Sequence, residues 1–218
     1  MNDRIVVINP NSTEACTQSI DAAVDALRFA DGPDIECVTL SEGPPGIESQ
    51  RDSDSVIGPI RAYIHGRDND AGAFVIACFS DPGLHAAREA TDHPVFGIAE
   101  SGYLAAMTRG ERFGVISILQ SSVARHGRYV RQLGIAARSA GDRAIGLGVV
   151  ELSQEELVLG RMVETGTALR DDDGADVLIL GCAGMARYRD RLSDALGLPV
   201  VEPTQAAVTS AIGQLRCG

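Results

Sequence analysis

Two stretches of the chain, RDNDAGAFVIAC at residues 67–78 and RDDDGADVLILGC at residues 170–182, repeat each other about a hundred residues apart. In both, a charged helix end leads into a short apolar run rich in β-forming residues, and a cysteine follows the run. The repeat predicts two related half-molecules, each with one thiol at the end of a strand. A site between the halves would have a thiol on either side, which suits moving a proton from one face of a carbon atom to the other.

Other segments extend the repeat beyond the cysteines. Residues 4–9 correspond to residues 112–117, and residues 38–41 correspond to residues 150–153. Short β-rich runs alternate with helical stretches along the whole chain, which is typical of a parallel sheet built from strand–helix–strand units. We therefore predict an α/β fold of two pseudo-symmetric lobes, each a four-stranded parallel sheet flanked by helices, with the active site in the cleft between them.

The pattern also predicts the bounds of the elements. Strands are expected near residues 4–9, 34–40, 73–78, 94–98, 112–118, 144–150, 176–181 and 198–201, and helices near 13–30, 52–68, 84–90, 99–108, 121–133, 153–171, 185–196 and 204–216. Ser153 and Glu156 predict a capping box at the start of one long helix. We expect residues 1–98 plus 204–218 to form the N-terminal lobe, because the last helix returns to it, and residues 99–203 to form the C-terminal lobe.

Composition limits the classes of function. The chain has 218 residues, of which 44% are hydrophobic, enough to bury one good core or two small ones. A formal net charge of −11 without a basic run argues against nucleic acid or an acidic membrane surface as partner. All 19 cationic residues are arginine, and the absence of lysine excludes Schiff-base chemistry and a lysine-anchored pyridoxal cofactor.

The cysteines and the chain start indicate a cytoplasmic protein. Five cysteines, an odd number without the spacing of a disulfide framework, favour a reducing compartment. The start MNDRIVVINP leads directly into a strand and does not resemble a signal peptide, and no apolar run is long enough to span a membrane. The first strand leads into Asn-Pro-Asn-Ser-Thr rather than Gly-x-Gly-x-x-Gly, which disfavours a dinucleotide site. The histidines lack ligand spacing near the cysteines, so no metal is expected.

The repetition of the two cysteines favours a chemical role for both. A single free cysteine near a parallel strand is most often a small buried hydrophobe. Cys78 and Cys182, however, both end a strand and precede a turn and a helix, whose N-terminus stabilises a thiolate and helps it act as a base at neutral pH. Cys16, Cys37 and Cys217 have no such partner, and we assign them to packing or to the surface.

Three motifs resemble a known family. VINPNST at 7–13, ACFSDPGL at 77–84 and LGCAGM at 180–185 are similar to motifs of the aspartate/glutamate/hydantoin racemase superfamily, particularly its hydantoin and allantoin racemases. The resemblance covers essentially the whole chain. It implies two α/β lobes and a cofactor-independent mechanism in which Cys78 and Cys182 are the two bases. It also implies that the substrate's polar groups are bound by Asn11, Ser12, Phe79, Ser80, Ala183 and Gly184.

The chemistry of a two-base mechanism sets further requirements. One cysteine must be a thiolate and the other a neutral thiol, on opposite faces of a carbon acid. Turn amides and the side chains of Asn11, Ser12, Ser80 and Ser117 can donate hydrogen bonds to the developing oxyanion. No positive pocket for an amino-acid carboxylate is evident, and Cys-Phe-Ser and Cys-Ala-Gly replace the Cys-Asn-Thr and Cys-Thr-His of relatives that act on free glutamate. We expect a neutral small-molecule substrate, a 5-substituted hydantoin or allantoin, and a homo-oligomer that needs no cofactor.

Carboxylates form a second symmetric set. Glu100 and Glu202 pair because residues 93–100 match residues 198–202. One interpretation is that each carboxylate caps the helix that follows it. The other is that each orients neighbouring groups of the site or contacts a substrate nitrogen. Asp81, before Pro82, either begins a turn or helix or joins this supporting set.

Other functions stay open at this point. An amino-acid racemase of the Asp/Glu type is one alternative. An enolate-forming isomerase or decarboxylase of the maleate isomerase or arylmalonate decarboxylase type is another, although similar decarboxylases keep a single cysteine. A non-catalytic two-lobed binding protein is disfavoured by the paired thiols and by the absence of a signal peptide.

Overall fold

The structure, a computed structural model, describes residues 3–217. Its strands are β1 (Arg4–Asn9), β2 (Asp34–Thr39), β3 (Ala73–Ile76), β4 (Val95–Gly97), β5 (Phe113–Ser117), β6 (Ser139–Ala144), β7 (Val177–Leu180) and β8 (Val200–Val201). Its α-helices are α1 (Glu14–Val24), α2 (Gln50–Ser55), α3 (Ile57–Gly66), α4 (Leu84–Arg88), α5 (Ile98–Met107), α6 (Gln120–Gln132), α7 (Glu155–Asp171), α8 (Arg189–Leu196) and α9 (Pro203–Cys217). Short 3-10 helices cover Asp25–Leu27, Ala136–Arg138, Val150–Ser153 and Ala183–Tyr188. No helix within residues 3–217 is both long and apolar enough to cross a bilayer.

The strands form two sheets with the same topology. The first sheet has the order β2-β1-β3-β4 and the second the order β6-β5-β7-β8. Every paired strand in both sheets is parallel. The predicted α/β fold with two four-stranded parallel sheets flanked by helices is therefore confirmed. We call the elements up to β4 the first half and the elements from β5 to β8 the second half.

Equivalent hydrogen bonds define which residues of the two halves match. The Ala77 amide donates to the Ile8 carbonyl at 2.8 Å, and the Gly181 amide donates to the Ile116 carbonyl at 2.8 Å. Ala77 and Gly181 therefore occupy matching positions, and in each half the next residue is a repeated cysteine. The repeat in the sequence is also a repeat in three dimensions.

The strand predicted at residues 144–150 is wrong. The second sheet instead uses β6, whose sequence SAGDRA is polar and whose six residues are all partly exposed. It lies at the edge of the sheet, where polar side chains are tolerated and the apolar pattern of a strand is lost. After β6 the chain leaves the sheet at Gly146, which has a φ of +76° that glycine adopts readily.

Two other predictions fail in the same region. The Leu40 amide bonds the Asn9 carbonyl as the Ile145 amide bonds the Ser117 carbonyl, so residues 38–41 do not match residues 150–153. The capping box at Ser153 is also absent, because α7 starts after Gln154 and has no side-chain cap. Ser153 ends a 3-10 helix, and its hydroxyl donates to the Val150 carbonyl at 3.2 Å.

Alternate strand residues divide the core into three clusters. One cluster joins the inner faces of both sheets, with Val75 of β3 and Ile179 of β7 packed around Ala106 of α5 and Ala211 of α9. The other two clusters cover the opposite face of each sheet. Helix α9 packs against β1, β3, β4 and α5 and so returns to the first sheet. The division into lobes of 1–98 plus 204–218 and of 99–203 stays a prediction.

Candidate active site

Cys78 and Cys182 line one pocket, just beyond the carboxyl ends of β3 and β7. Both are free thiols, and part of each side chain is exposed to the pocket. The empty space within the pocket and its open mouth amounts to about 480 Å³. Both halves contribute to its walls, which are Asn9, Asn11, Cys16, Ile20, Ile47, Ala77, Cys78, Phe79, Ser80, Ile118, Ser122, Arg125, His126, Val149, Gly181, Cys182, Ala183 and Gly184.

The pocket brings together seven of the predicted site residues. These are Asn11, Cys78, Phe79, Ser80, Cys182, Ala183 and Gly184. Five other predicted residues lie outside its walls, namely Ser12, Asp81, Ser117, Glu100 and Glu202. Cys16, assigned from the sequence to packing or surface, is buried and forms part of the wall.

Burial makes Cys78 and Cys182 weak acids. It raises the pKa of the Cys78 thiol to about 11, although the Ser80 amide and the Arg125 charge act to lower it. Burial raises the pKa of Cys182 further, with Cys16 adding to the rise and the Gly184 amide opposing it. The expected stabilisation of a thiolate by local donors is present but smaller than the cost of desolvation. Burial therefore favours the neutral thiol at both positions at neutral pH.

The Asn-Pro-Asn turn after β1 is held by its own side chains. The Asn9 amide group donates to the Asn11 Oδ1 at 3.1 Å and to the Thr17 hydroxyl at 3.0 Å. The Thr13 amide also donates to Asn11 Oδ1, at 2.9 Å. This network fixes Asn11 on the pocket wall. Ser12, in contrast, does not line the pocket, and its amide donates to the Pro44 carbonyl at 3.0 Å.

Ser117 is wrongly predicted as a substrate contact. It is fully buried, and its hydroxyl donates to Asp142 Oδ1 at 2.5 Å. Asp142 Oδ2 lies 2.8 Å from Nδ1 of His126, a ring that lines the pocket and meets the Phe79 ring edge-on at 5.1 Å. Ser117 and Asp142 therefore hold His126 in position. Asp142, which makes this contact, is one of the polar residues of β6.

The prediction that the pocket has no positive group is also wrong. Arg125 of α6 lines it, with only 9% of the residue exposed. Its guanidinium donates to the Glu48 carbonyl at 3.0 Å and to the Ser122 hydroxyl at 3.2 Å. Neither Arg125 nor His126 follows a strand end, so the pattern that located the cysteines could not locate them.

Asp81 and Glu202 cap helices rather than contact the pocket. The Asp81 carboxylate accepts hydrogen bonds from the Ala99 amide at 2.9 Å and the Glu100 amide at 2.7 Å, at the start of α5. The Tyr129 hydroxyl donates to it at 3.0 Å. Burial raises the pKa of Asp81 to about 7, against the effect of these donors.

Glu202 plays the same part for α9. Its carboxylate accepts from the Thr204 amide at 3.1 Å and from the Gln205 amide at 2.6 Å, and burial raises its pKa. Capping, one of the two roles expected for the glutamates, is therefore the one that Glu202 has. Glu100 instead lies in the first turn of α5 and forms an ion pair with Arg88 at 2.6 Å.

Glu100 is not the counterpart of Glu202. Strand pairing matches Phe74–Val95 with Leu178–Val200, so the residue equivalent to Glu202 is Gly97. A Cβ atom on Gly97 would lie 2.2 Å from Cγ of Asp81. The Asp81 carboxylate thus fills, from another segment, the space that the Glu202 side chain uses in the second half.

No metal centre is formed by the described residues. Among residues 3–217, no group of three or more His, Cys, Asp or Glu side chains is arranged to hold a metal ion. What the pocket does offer is three thiols, main-chain and side-chain amides, two serine hydroxyls, an imidazole and one cation. That set can take and return a proton and can stabilise negative charge on an oxygen.

Comparison with known proteins gives matches over nearly the whole chain. A hydantoin racemase from Pseudomonas sp. (strain NS671) is 38% identical over 207 residues, which cover 94% of this chain and 83% of that protein. A hydantoin racemase from Paenarthrobacter aurescens is 38% identical over 208 residues, which cover 94% of this chain and 87% of that protein. The structure of an allantoin racemase from Klebsiella pneumoniae is 34% identical, with a TM-score of 0.89 and coverage of 98% of this chain and 87% of that one. The sequence profile of the Asp/Glu/Hydantoin racemase family matches residues 5–211. The chain belongs to the Asp/Glu/Hydantoin racemase family and is an isomerase.

Proposed function

We propose that the protein racemises a 5-substituted hydantoin or allantoin by proton transfer between two thiols, without a cofactor. The observation that carries the proposal is that Cys78 and Cys182 reach one pocket from matching strand ends. A racemase must remove a proton from one face of a carbon and return one to the other face. Two thiols related by the repeat of the fold can do this for either enantiomer, because each can act as the base while the other acts as the acid.

The acidity of the thiols sets how the reaction begins. One cysteine must lose its proton first; burial raises the pKa of both thiols and opposes this step, whereas the Ser80 amide and the Arg125 charge favour it at Cys78. The thiolate then takes the C5 proton, and the neutral thiol of Cys182 protonates the opposite face. The reverse reaction exchanges the two roles.

The substrate class is supported by the relatives and by the chemistry of the ring. Hydantoin and allantoin present carbonyls and N–H groups that match Asn11, Ser80 and the turn amides at Ala183 and Gly184. The C5 proton of such a ring is far more acidic than the α-proton of an amino-acid carboxylate, within reach of a thiolate. We expect kcat/KM for a 5-substituted hydantoin or allantoin to exceed that for aspartate or glutamate by at least roughly a hundredfold, or about 2.7 kcal/mol in transition-state binding.

A second candidate function is favoured by one observation. Arg125 places a cation in the pocket, and a cation is what the carboxylate of a free amino acid requires. Racemisation of aspartate or glutamate is therefore the alternative. The two functions are separated by kcat/KM for the two substrate classes, and the opposite order to the one expected would select the amino-acid racemase.

The decisive experiment is proton NMR in deuterium oxide with hydantoins, allantoin, aspartate and glutamate. The enzyme should exchange the C5 proton of a hydantoin or of allantoin and invert its configuration. Cys78→Ala and Cys182→Ala should each abolish inversion and keep the fold, while each retains exchange in one enantiomer. Cys217→Ala, which removes an exposed thiol outside the pocket, is the matched control. Wild-type rates in both single variants would show that the two-thiol mechanism is wrong.

A further inference from the structure

Arg125 is a buried cation without a buried anion. Its hydrogen bonds go to the carbonyls of Glu48 at 3.0 Å and Ser121 at 3.2 Å and to the Ser122 hydroxyl at 3.2 Å, all neutral groups. Its Nε is buried and has no hydrogen-bond partner within residues 3–217. In the same part of the chain no carboxylate oxygen lies within 4.0 Å of it. Buried charges are normally paired, so Arg125 lacks the anion that would balance its charge.

The neighbouring charged side chains do not supply that anion. Asp52 attracts Arg125 at longer range, and Arg128 repels it. The Asp52 carboxylate is already occupied, because it accepts from the Ser49 amide at 2.8 Å and from the Ser49 hydroxyl at 2.7 Å. Cys78, on the same pocket wall, attracts Arg125 only as a thiolate, and burial, which raises the pKa of this thiol, keeps it neutral. The missing negative charge therefore belongs in the pocket, beside Cys78.

The guanidinium is held before any ligand arrives. The Glu48 carbonyl that it contacts comes from the first half, whereas Ser121 and Ser122 belong to its own helix in the second half. Glu48 is itself fixed, since the Val149 amide donates to its Oε1 at 2.9 Å. A donor held by both halves needs little rearrangement when charge develops, which is the condition for strong transition-state stabilisation.

We propose that Arg125 is the cationic group that stabilises the enolate oxygen formed when the substrate loses its proton. The inference rests on the proposed function. In the reaction the C5–H bond breaks and an S–H bond forms, and the electron pair moves onto the C4 carbonyl oxygen, beside Arg125. The second thiol then gives its proton to the opposite face of C5 and becomes the new thiolate. Arg125 stays protonated throughout, so it binds charge and transfers no proton.

Kinetics with matched variants test the catalytic part. Arg125→Gln should lower kcat for the hydantoin at least about 100-fold with a KM change below about threefold, because the lost contact is made to the enolate. Arg125→Lys, which keeps the charge, should fall between Gln and wild type. Arg128→Gln removes an exposed arginine from the same helix, which bonds Gln50, and should stay within about twofold of wild type. An increase in KM alone, or an unchanged kcat, would overturn the inference.

Binding measurements test the anion site without any turnover. Barbiturate, a planar cyclic ureide that is an anion at pH 8, serves as the enolate mimic, and neutral imidazolidin-2-one serves as its control. Barbiturate should bind wild type at least about 30-fold more tightly than the neutral ring, and Arg125→Gln should remove most of that difference. Equal affinities for the two rings in wild type would refute the site even if Arg125→Gln failed to fold. If wild type exchanged no hydantoin proton while barbiturate binding depended on Arg125, the proposed function would fail and the anion site would stand.

Discussion

Gly97→Ala should destabilise the protein, because a carboxylate already occupies the space that the new methyl group needs. A Cβ atom on Gly97 would lie 2.2 Å from Cγ and 2.3 Å from Oδ2 of Asp81. The Asp81 side chain cannot move aside freely, since it accepts hydrogen bonds from the Ala99 amide, the Glu100 amide and the Tyr129 hydroxyl. The substitution must therefore break this cap or shift the backbone.

The cost follows from the groups left without a partner. Displacing the carboxylate leaves two main-chain N–H groups and one hydroxyl unsatisfied, and each buried loss costs about 1–3 kcal/mol. Releasing a buried carboxylate into a wetter position offsets part of that sum. We expect the free energy of unfolding to fall by about 2–4 kcal/mol, which lowers the Tm of a chain of this length by roughly 4–16 °C.

Urea and thermal unfolding followed by circular dichroism at pH 8 would measure the effect. Gly58→Ala is the control, because its Cβ would meet nothing within 4 Å, and in helix α3 it should add up to about 1 kcal/mol. The double change Asp81→Ala with Gly97→Glu copies the arrangement of Glu202 and should recover at least about half of the loss. If Gly97→Ala proved as stable as Gly58→Ala, the steric and capping argument would be refuted.

Three further outcomes are expected. Burial raises the pKa of Asp81 to about 7, so between about pH 4 and pH 7 the folded protein holds a proton that the unfolded chain has released. The free energy of unfolding should therefore fall as pH rises through that range, and Asp81→Asn should remove this contribution; an equal wild-type-minus-variant difference in urea titrations at pH 5 and pH 8 would contradict it. The Tyr103 hydroxyl is buried without a hydrogen bond in the described chain, so Tyr103→Phe should keep or raise the free energy of unfolding, by up to about 2 kcal/mol; a clear loss in urea unfolding would show that the hydroxyl has a partner. Iodoacetamide should alkylate Cys78 about tenfold faster per pH unit between pH 7 and pH 9, since only the small thiolate fraction reacts; a flat rate in peptide mass spectrometry would show that the thiolate is already formed.

The fold was accessible from the sequence because most of its strands are buried on both faces. Runs such as Ala73–Ile76 and Val177–Leu180 are continuously apolar, and they identify central parallel strands directly. The edge strand Ser139–Ala144 is polar instead and includes Asp142, which bonds His126, so its pattern is that of a loop. The function of a strand can thus remove the signal by which strands are recognised.

The candidate site was accessible only where it follows the repeat. Cys78, Cys182 and their neighbours stand at strand ends, and parallel topology brings strand ends together. Arg125 and His126 lie on α6, whose buried residues include Ser122, Arg125 and His126, all polar. A helix with polar residues on its inner face looks solvent-exposed in sequence. Its inward orientation depends on partners far away along the chain, such as Glu48 and Asp142.

The two halves cap their helices differently: the second half uses Glu202, whereas the first half has Gly97 at that position and uses Asp81 from another segment. The two halves would therefore not serve equally well for building a symmetric protein from two copies of one half. The second half carries its helix cap at Glu202, directly ahead of the helix that uses it, so a chain built from two copies of that half would supply an acceptor to each helix. Two copies of the first half would each depend on Asp81 at a φ of +42°, three residues after Cys78. In the natural chain, the turn after Cys78 therefore also caps α5, the helix that leads into the second half, through Asp81. The turn after Cys182 has no such second role, because Glu202 caps α9.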